Sequence, residues 1–100
     1  MQFTKKLHAG IVAGEITTSI RIWIRPRVKI HGRYKLGTTP GFVVVDKISE
    51  IAFEDITPKM ARDSGFAGMT DLLKTAKHGR GERVFYVHFH YEDARQAREN

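Results

Sequence analysis

One hundred residues describe one domain, and 41% hydrophobic with 10% aromatic content makes it a globular chain, not a disordered one. The absence of cysteine excludes a disulfide scaffold and thiolate metal sites and fits a cytoplasmic protein. A formal net charge of +6 points to an anionic partner, nucleic acid or an acidic surface, before it points to catalysis.

The first fifteen residues, MQFTKKLHAGIVAGE, hold two lysines without a long apolar run behind them, so no secretory signal is expected. No stretch approaches ~18 uninterrupted apolar residues, so no membrane span and no membrane partner is expected. Phe3, Leu7 and Ile11 recur at intervals of four, which predicts a short helix from about Lys5 to Ala13. Gly14 stands where a residue free to adopt the left-handed conformation closes a helix.

From Gly14 to Lys35 the chain concentrates its charge. No acidic residue lies between Glu15 and Asp46, while Arg21, Arg25, Arg27, Lys29, Arg33 and Lys35 supply six cations. Residues 1–45 carry eight Lys and Arg against one Glu, and residues 46–100 carry nine against ten. The basic field is therefore local. From Thr18 to Arg25 the residues alternate, which predicts a strand with successive side chains on opposite faces. Thr18, Ile20, Ile22 and Ile24 are expected on a core. Ser19, Arg21, Trp23 and Arg25 form the opposite row, and Pro26, with no N–H to donate, ends the ladder.

VKIHGRYKLGTTPGF is punctuated by glycine and proline and reads as a loop, a short strand near Tyr34 to Leu36, and a turn. Phe42 to Phe53 is a strand whose unbroken apolar start predicts burial on both faces. Thr57 as N-cap and Pro58 at the first helical position open a helix that stops at Gly65. A second helix begins near Thr70 or Asp71 and stops at Gly79, and GRGE turns the chain. RVFYVHFHYE then alternates, with Phe85, Val87, Phe89 and Tyr91 on one face and Val84, Tyr86, His88 and His90 on the other. Residues 93–100 are a charged tail, frayed or weakly helical. There is no repeat and no linker, so residues 1–100 read as a single domain.

Two constellations carry chemistry. His88 and His90 share a strand face at a spacing that can place two imidazoles on one metal, with Glu92 continuing the face. With no third ligand nearby, the reading as two polar residues of a half-wet face is preferred, and no metal and no cofactor is assigned. The basic strand is the stronger signal. An indole among guanidiniums suits base stacking, and cations without acidic neighbours suit phosphates. Arg21, Arg25, Arg27, Lys29, Arg33 and Lys35 are the candidate phosphate contacts, Trp23 and Tyr34 the candidate stacking residues, and Ser19 a polar contact beside them.

Three segments, IVAGEITTSIR, FEDITPKMARDSGF and VFYVHF, together with the order of the elements, resemble a small bacterial ASCH domain of the PUA-like superfamily over most of the chain. The family pattern is roughly G-x-K-x-x-E/T-x-R. Gly14 and Arg21 match it, Ser19 stands at the acidic-or-threonine position, and Ile16 stands where the lysine should be. The resemblance implies an α+β fold, a small mixed β-barrel flanked by short helices, with a cleft suited to RNA or a modified nucleoside. Some relatives of this size are similar to amidohydrolases that deacetylate N4-acetylcytidine with a lysine, a threonine and a glutamate. Carried over, these fall on Ile16, Ser19, and Asp63 or Ser64. Ile16 can serve as neither base nor nucleophile, so catalysis requires Lys5, Lys6 or Lys29 to reach the cleft, with Ser19 as the one candidate catalytic residue. Three readings result: a domain binding RNA or single-stranded nucleic acid, an enzyme on RNA or an acylated nucleoside, and a module whose basic face meets an acidic protein.

Overall fold

The alternating stretches do pair, and they pair into one sheet. The computed structural model describes residues 3–76 and 83–93. Its strands are β1 (Thr18–Trp23), β2 (Arg33–Lys35), β3 (Phe42–Ile51) and β4 (Arg83–Glu92), in the spatial order β1-β4-β3-β2. All three pairings are antiparallel, and the sheet curls into a half-barrel. The expected mixed barrel is thus, among the described residues, an open antiparallel one.

Register follows the alternation. Ile20 lies opposite Tyr86 and Arg21 opposite Phe85, so Ile20 and Ile22 share a face with Tyr86 and Val84. That face packs on helices α2 (Pro58–Asp63) and α3 (Met69–Ala76), where Ile20, Ile56, Ala61, Leu72 and Val84 form one buried cluster. Phe85, Val87 and Phe89 line the other face, inside the curl. One end of it is filled by Ile11, Leu36, Val43 and Phe89, the other by Val28, Val45, Phe85 and Val87. Both faces are therefore covered, and the row opposite the isoleucines is not a solvated surface. Ser19 is buried, and Arg21 and Trp23 are half-buried.

The helix starts obey local chemistry. The Thr57 hydroxyl accepts the Met60 N–H at 3.1 Å, with Pro58 in the first turn where its missing N–H costs nothing. Gly14 and Gly65 take φ of +77° and +93° and close their helical segments as expected. The first helix is split, with a 3-10 turn at Lys5–Leu7 leading into α1 (His8–Val12). β3 stops at Ile51, short of the expected Phe53, because a 3-10 turn at Phe53–Asp55 intervenes and the Asp55 carboxylate accepts the Ala52 N–H. A bulge between Val45 and Lys47 turns Asp46 outward, where its carboxylate meets His90 Nδ1 at 2.9 Å. The helix stop at Gly79, the GRGE turn and the tail from residue 94 lie outside the described residues.

One expectation for the core face is overturned. Ile24 is 68% exposed, although it continues the Thr18–Ile22 alternation. β1 ends at Trp23, paired with Arg83, and Ile24 already lies in a bend. The Arg83 guanidinium also bonds the Ile24 carbonyl at 3.2 Å and holds the chain in a bend. Ile20→Asp should therefore unfold the domain, because an unpaired buried carboxylate costs several kcal/mol against a margin of ~5–15. Ile24→Asp should shift stability by no more than ~0.5 kcal/mol. Thermal melts followed by circular dichroism distinguish the two, and equal melting temperatures for both variants would show the faces wrongly assigned.

Candidate functional site

A cleft of about 280 Å³ lies beside β1, and Ser19, Ile20, Arg21, Ile22 and Trp23 all line it. Consecutive strand residues point to opposite faces, so a cleft touching five in a row must run along the edge of the strand. Among the described residues β1 pairs with β4 alone, so its outer edge is the one that faces the cleft. The Phe89 N–H bonds the Thr17 carbonyl at 2.9 Å, which sets the phase of the ladder. By alternation the amides of Ile20 and Ile22 turn away from β4, toward the cleft side.

Two walls flank this edge. Phe3, Thr4, Lys6 and Leu7 come from the N-terminal segment inside the curl, and Ser64, Gly65, Phe66, Asp71 and Leu72 come from the end of α2 and from α3. The walls meet where Gly65 lies against Leu7; a Cβ at Gly65 would sit 2.6 Å from Leu7 Cδ2. Below them the Thr18 and Ser64 hydroxyls share a buried hydrogen bond of 2.9 Å that ties β1 to the end of α2. The Asp71 carboxylate accepts the Ala67 N–H at 3.0 Å and orders the turn before α3.

Arg21 is the charged centre of the cleft. Its Nε donates to Ser19 Oγ at 2.7 Å, and its guanidinium lies 4.8 Å from the centroid of the Phe3 ring. Burial lowers its pKa from the ordinary arginine value, yet a guanidinium stays protonated at neutral pH. Trp23 lines the cleft and packs inward against Phe85, with ring centroids 5.8 Å apart. The indole is half anchor and half surface.

The other sequence candidates divide into two groups. Arg25, Arg27 and Lys29 are exposed on the β1–β2 loop and, among the described residues, make no ion pair. That loop is fixed at several points. Val28 is buried, the Lys29 N–H donates to the Tyr34 hydroxyl at 2.8 Å, and the His31 N–H donates to the Val45 carbonyl at 2.7 Å. At its start, the bend at Ile24 is held by Arg83, which Glu50 grips through both carboxylate oxygens at 2.8 and 2.9 Å. The Arg83 hydrogen bonds hold the Glu50 carboxyl below its usual pKa.

Arg33, Tyr34 and Lys35 sit on β2, the opposite edge of the sheet. Arg33 pairs with Glu92 at 3.1 Å and stacks on Phe42, and Tyr34 packs on the Val28 cluster with its hydroxyl engaged by Lys29. Neither Arg33, Tyr34 nor Lys35 lines the cleft. Ile16 does not line it either; it is half-buried, packed on the Ile11 cluster and close to Gly10. Asp63 is exposed and pairs with Lys59, whereas Ser64 reaches the cleft.

Sequence reasoning did not single out Phe66 or Asp71 as cleft residues. The Gly65-Phe66 step directly after a helix stop was the available signal, since a glycine that closes a helix sets the direction in which the chain leaves it. The histidine pair is separated by its contacts. His90 binds Asp46, while His88 Nδ1 is buried without a hydrogen bond and its ring meets Tyr86 edge-on. Among the described residues no group of three or more potential ligands is placed to hold a metal ion, and no helix is long and apolar enough to cross a membrane.

Comparison with known proteins shows a partial similarity. Over 62 residues, 62% of the chain, the sequence is 32% identical to a probable DNA ligase of Opitutus terrae. The chain spans only 6% of the length of that ligase. No family model and no solved structure matches the chain.

The hydroxyl pair beneath the cleft is directly testable. Ser64→Ala should cost about 1–3 kcal/mol in urea denaturation, because the Thr18 hydroxyl is left buried and unpaired. The double variant Thr18→Val/Ser64→Ala removes both partners and should cost less than the two single changes added together. Strict additivity would mean that the hydroxyls do not communicate.

Proposed function

We propose that this domain binds RNA or single-stranded nucleic acid along the cleft and the loop that continues from it. The observation that carries this reading is the continuity of Arg21 and Trp23, inside one cleft, with Arg25, Arg27 and Lys29, exposed on the adjoining loop. Arg25, Arg27 and Lys29, which make no ion pair among the described residues, attract phosphates at long range, and an indole at a cleft wall offers a stacking platform. Arg33, Tyr34 and Lys35 belong to this surface only as distant members, across the sheet. The segment shared with a probable DNA ligase, 6% of that protein's length, is a weak hint toward a nucleic-acid partner and no more. The PUA-like relationship, bacterial origin and cytoplasmic location belong to the same proposal.

The two kinds of contact should fail differently. Arg25→Ala and Arg27→Ala should each weaken binding to every single strand and flatten the slope of log K against log salt by about 0.7. Trp23→Phe should weaken binding by part of the ~1–3 kcal/mol that stacking contributes per base, and should leave the salt slope unchanged. Trp23 is the sole tryptophan, so its fluorescence should be quenched when RNA binds. Wild-type affinity in Trp23→Phe with no quenching would make Trp23 a packing residue and move the acidic-protein partner to first place.

A second reading is favoured by one placement. Lys6, from a different element than the family's lysine, lines the same cleft as Ser19, Ser64 and Asp71. On this reading Lys6 replaces the amine missing at Ile16, Ser19 supplies the hydroxyl, and Arg21, bonded to Ser19 Oγ, stabilises developing negative charge there. Wild-type protein should then release acetate from N4-acetylcytidine, and Lys6→Met and Ser19→Ala should not. Binding of single-stranded RNA with no acetate released would leave the domain a binder.

A further inference from the structure

We propose that the β1–β2 loop is a wedge, and that the Ile24 side chain inserts between stacked bases of the nucleic-acid strand lying on Arg25 and Arg27. The inference rests on the nucleic-acid reading above and assigns that site a mechanical action. It begins from an anomaly of burial. Ile24 is an aliphatic residue 68% exposed, directly between Trp23 in the cleft wall and Arg25 on the loop. Exposed single aliphatics are ordinary on protein surfaces, but this one is mounted. Its carbonyl is held by Arg83, and Arg83 is held bidentately by Glu50. Pro26 fixes the backbone two residues on, and Val28, 5% exposed, plugs the loop into the core.

A rigid support of this kind has physical meaning for an inserted group. A side chain that parts two bases must resist being pushed aside, because unstacking is unfavourable and a yielding loop would relax instead. Proteins that kink nucleic acid use aliphatic wedges of this type, isoleucine among them, beside cations that neutralise the adjoining phosphates. Here the cations are Arg25 and Arg27, with no acidic residue between Glu15 and Asp46 to oppose the strand. Charge complementarity and the neighbouring indole select nucleic acid as the occupant.

The test uses a short RNA carrying one 2-aminopurine, as a single strand and annealed to its complement, with Trp23 quenching as an independent readout of binding. Emission of 2-aminopurine rises when the base unstacks. Wild-type protein should raise it in both forms. Ile24→Ser should keep the salt-dependent binding and lose most of the rise, and Ile24→Met, which restores an apolar side chain, should recover it. The position is exposed, so these variants should melt with the wild type. A rise of wild-type size in Ile24→Ser overturns the wedge, as does a silent 2-aminopurine in a complex that quenches Trp23; in both cases nucleic-acid binding itself stands. A protein that binds neither RNA form overturns both readings. If the wild type instead sediments with phosphatidylserine vesicles through Ile24 and leaves 2-aminopurine unchanged, the loop is a membrane contact and the wedge is wrong.

Discussion

The first two strands of the chain occupy opposite edges of the sheet, and much of the molecule depends on that separation. At about 4.8 Å per strand, β1 and β2 would stand roughly 14 Å apart in a flat sheet. The connection between them, residues 24–32, can reach about 30 Å when extended, so it has ample length to cross the open mouth of the curl. It crosses with Val28 turned inward, completing the cluster of Val45, Phe85 and Val87. The segment that finishes the core is therefore the same one that displays the cations. Trp23 packs on that cluster and lines the cleft, so core and candidate site share a residue.

Charge distribution explains why those cations remain available. Two cations of the second half are taken up locally, Lys59 by Asp63 at 2.8 Å and Arg83 by Glu50 at 2.8 Å. Arg33 of the basic segment is also taken up, because β2 lies within reach of Glu92 at the end of β4. Arg25, Arg27 and Lys29 have no acid within the loop, and the acids of β3 and β4 are engaged elsewhere. Exposed ion pairs of this kind contribute little to stability. Their effect here is on the local charge: Glu50 and Glu92 are occupied by Arg83 and Arg33, and Arg25, Arg27 and Lys29 are left without an ion pair among the described residues.

Local chemistry was legible in the sequence, and long-range contact was not. Thr57-Pro58, Gly14 and Gly65 act within a few residues, so they could be placed without knowing the fold. The two faces of β4 and the core direction of Ile20 follow from a period of two. Ile24 breaks that period because its carbonyl is held in a bend by Arg83, fifty-nine residues later. Tyr34 was expected on the same face as Trp23, and what the sequence could not show is that it lies on the opposite edge strand with its hydroxyl accepting the Lys29 N–H, a contact that the loop conformation alone creates. Lys6, Ser64 and Asp71 reach the cleft because one wall approaches the other at Gly65 and Leu7, a meeting of segments far apart in the chain. Ser19, Arg21 and Trp23 were recognisable as one row, since a single strand carries them. That they line a cleft, and not an open surface, depends on helices from both sides.

The strand order also sets a schedule. β4, the latest in sequence of the described strands, lies between β1 and β3 and pairs with both along most of its length. Until it leaves the ribosome, β1 has no partner in the sheet, and the edge that floors the cleft does not exist. Such non-local pairing slows folding and prolongs the time for which apolar strands stand open. During synthesis the basic loop therefore precedes β4, and until then only its far end, through His31 and Gly32 on Val45, has a partner strand to hold it.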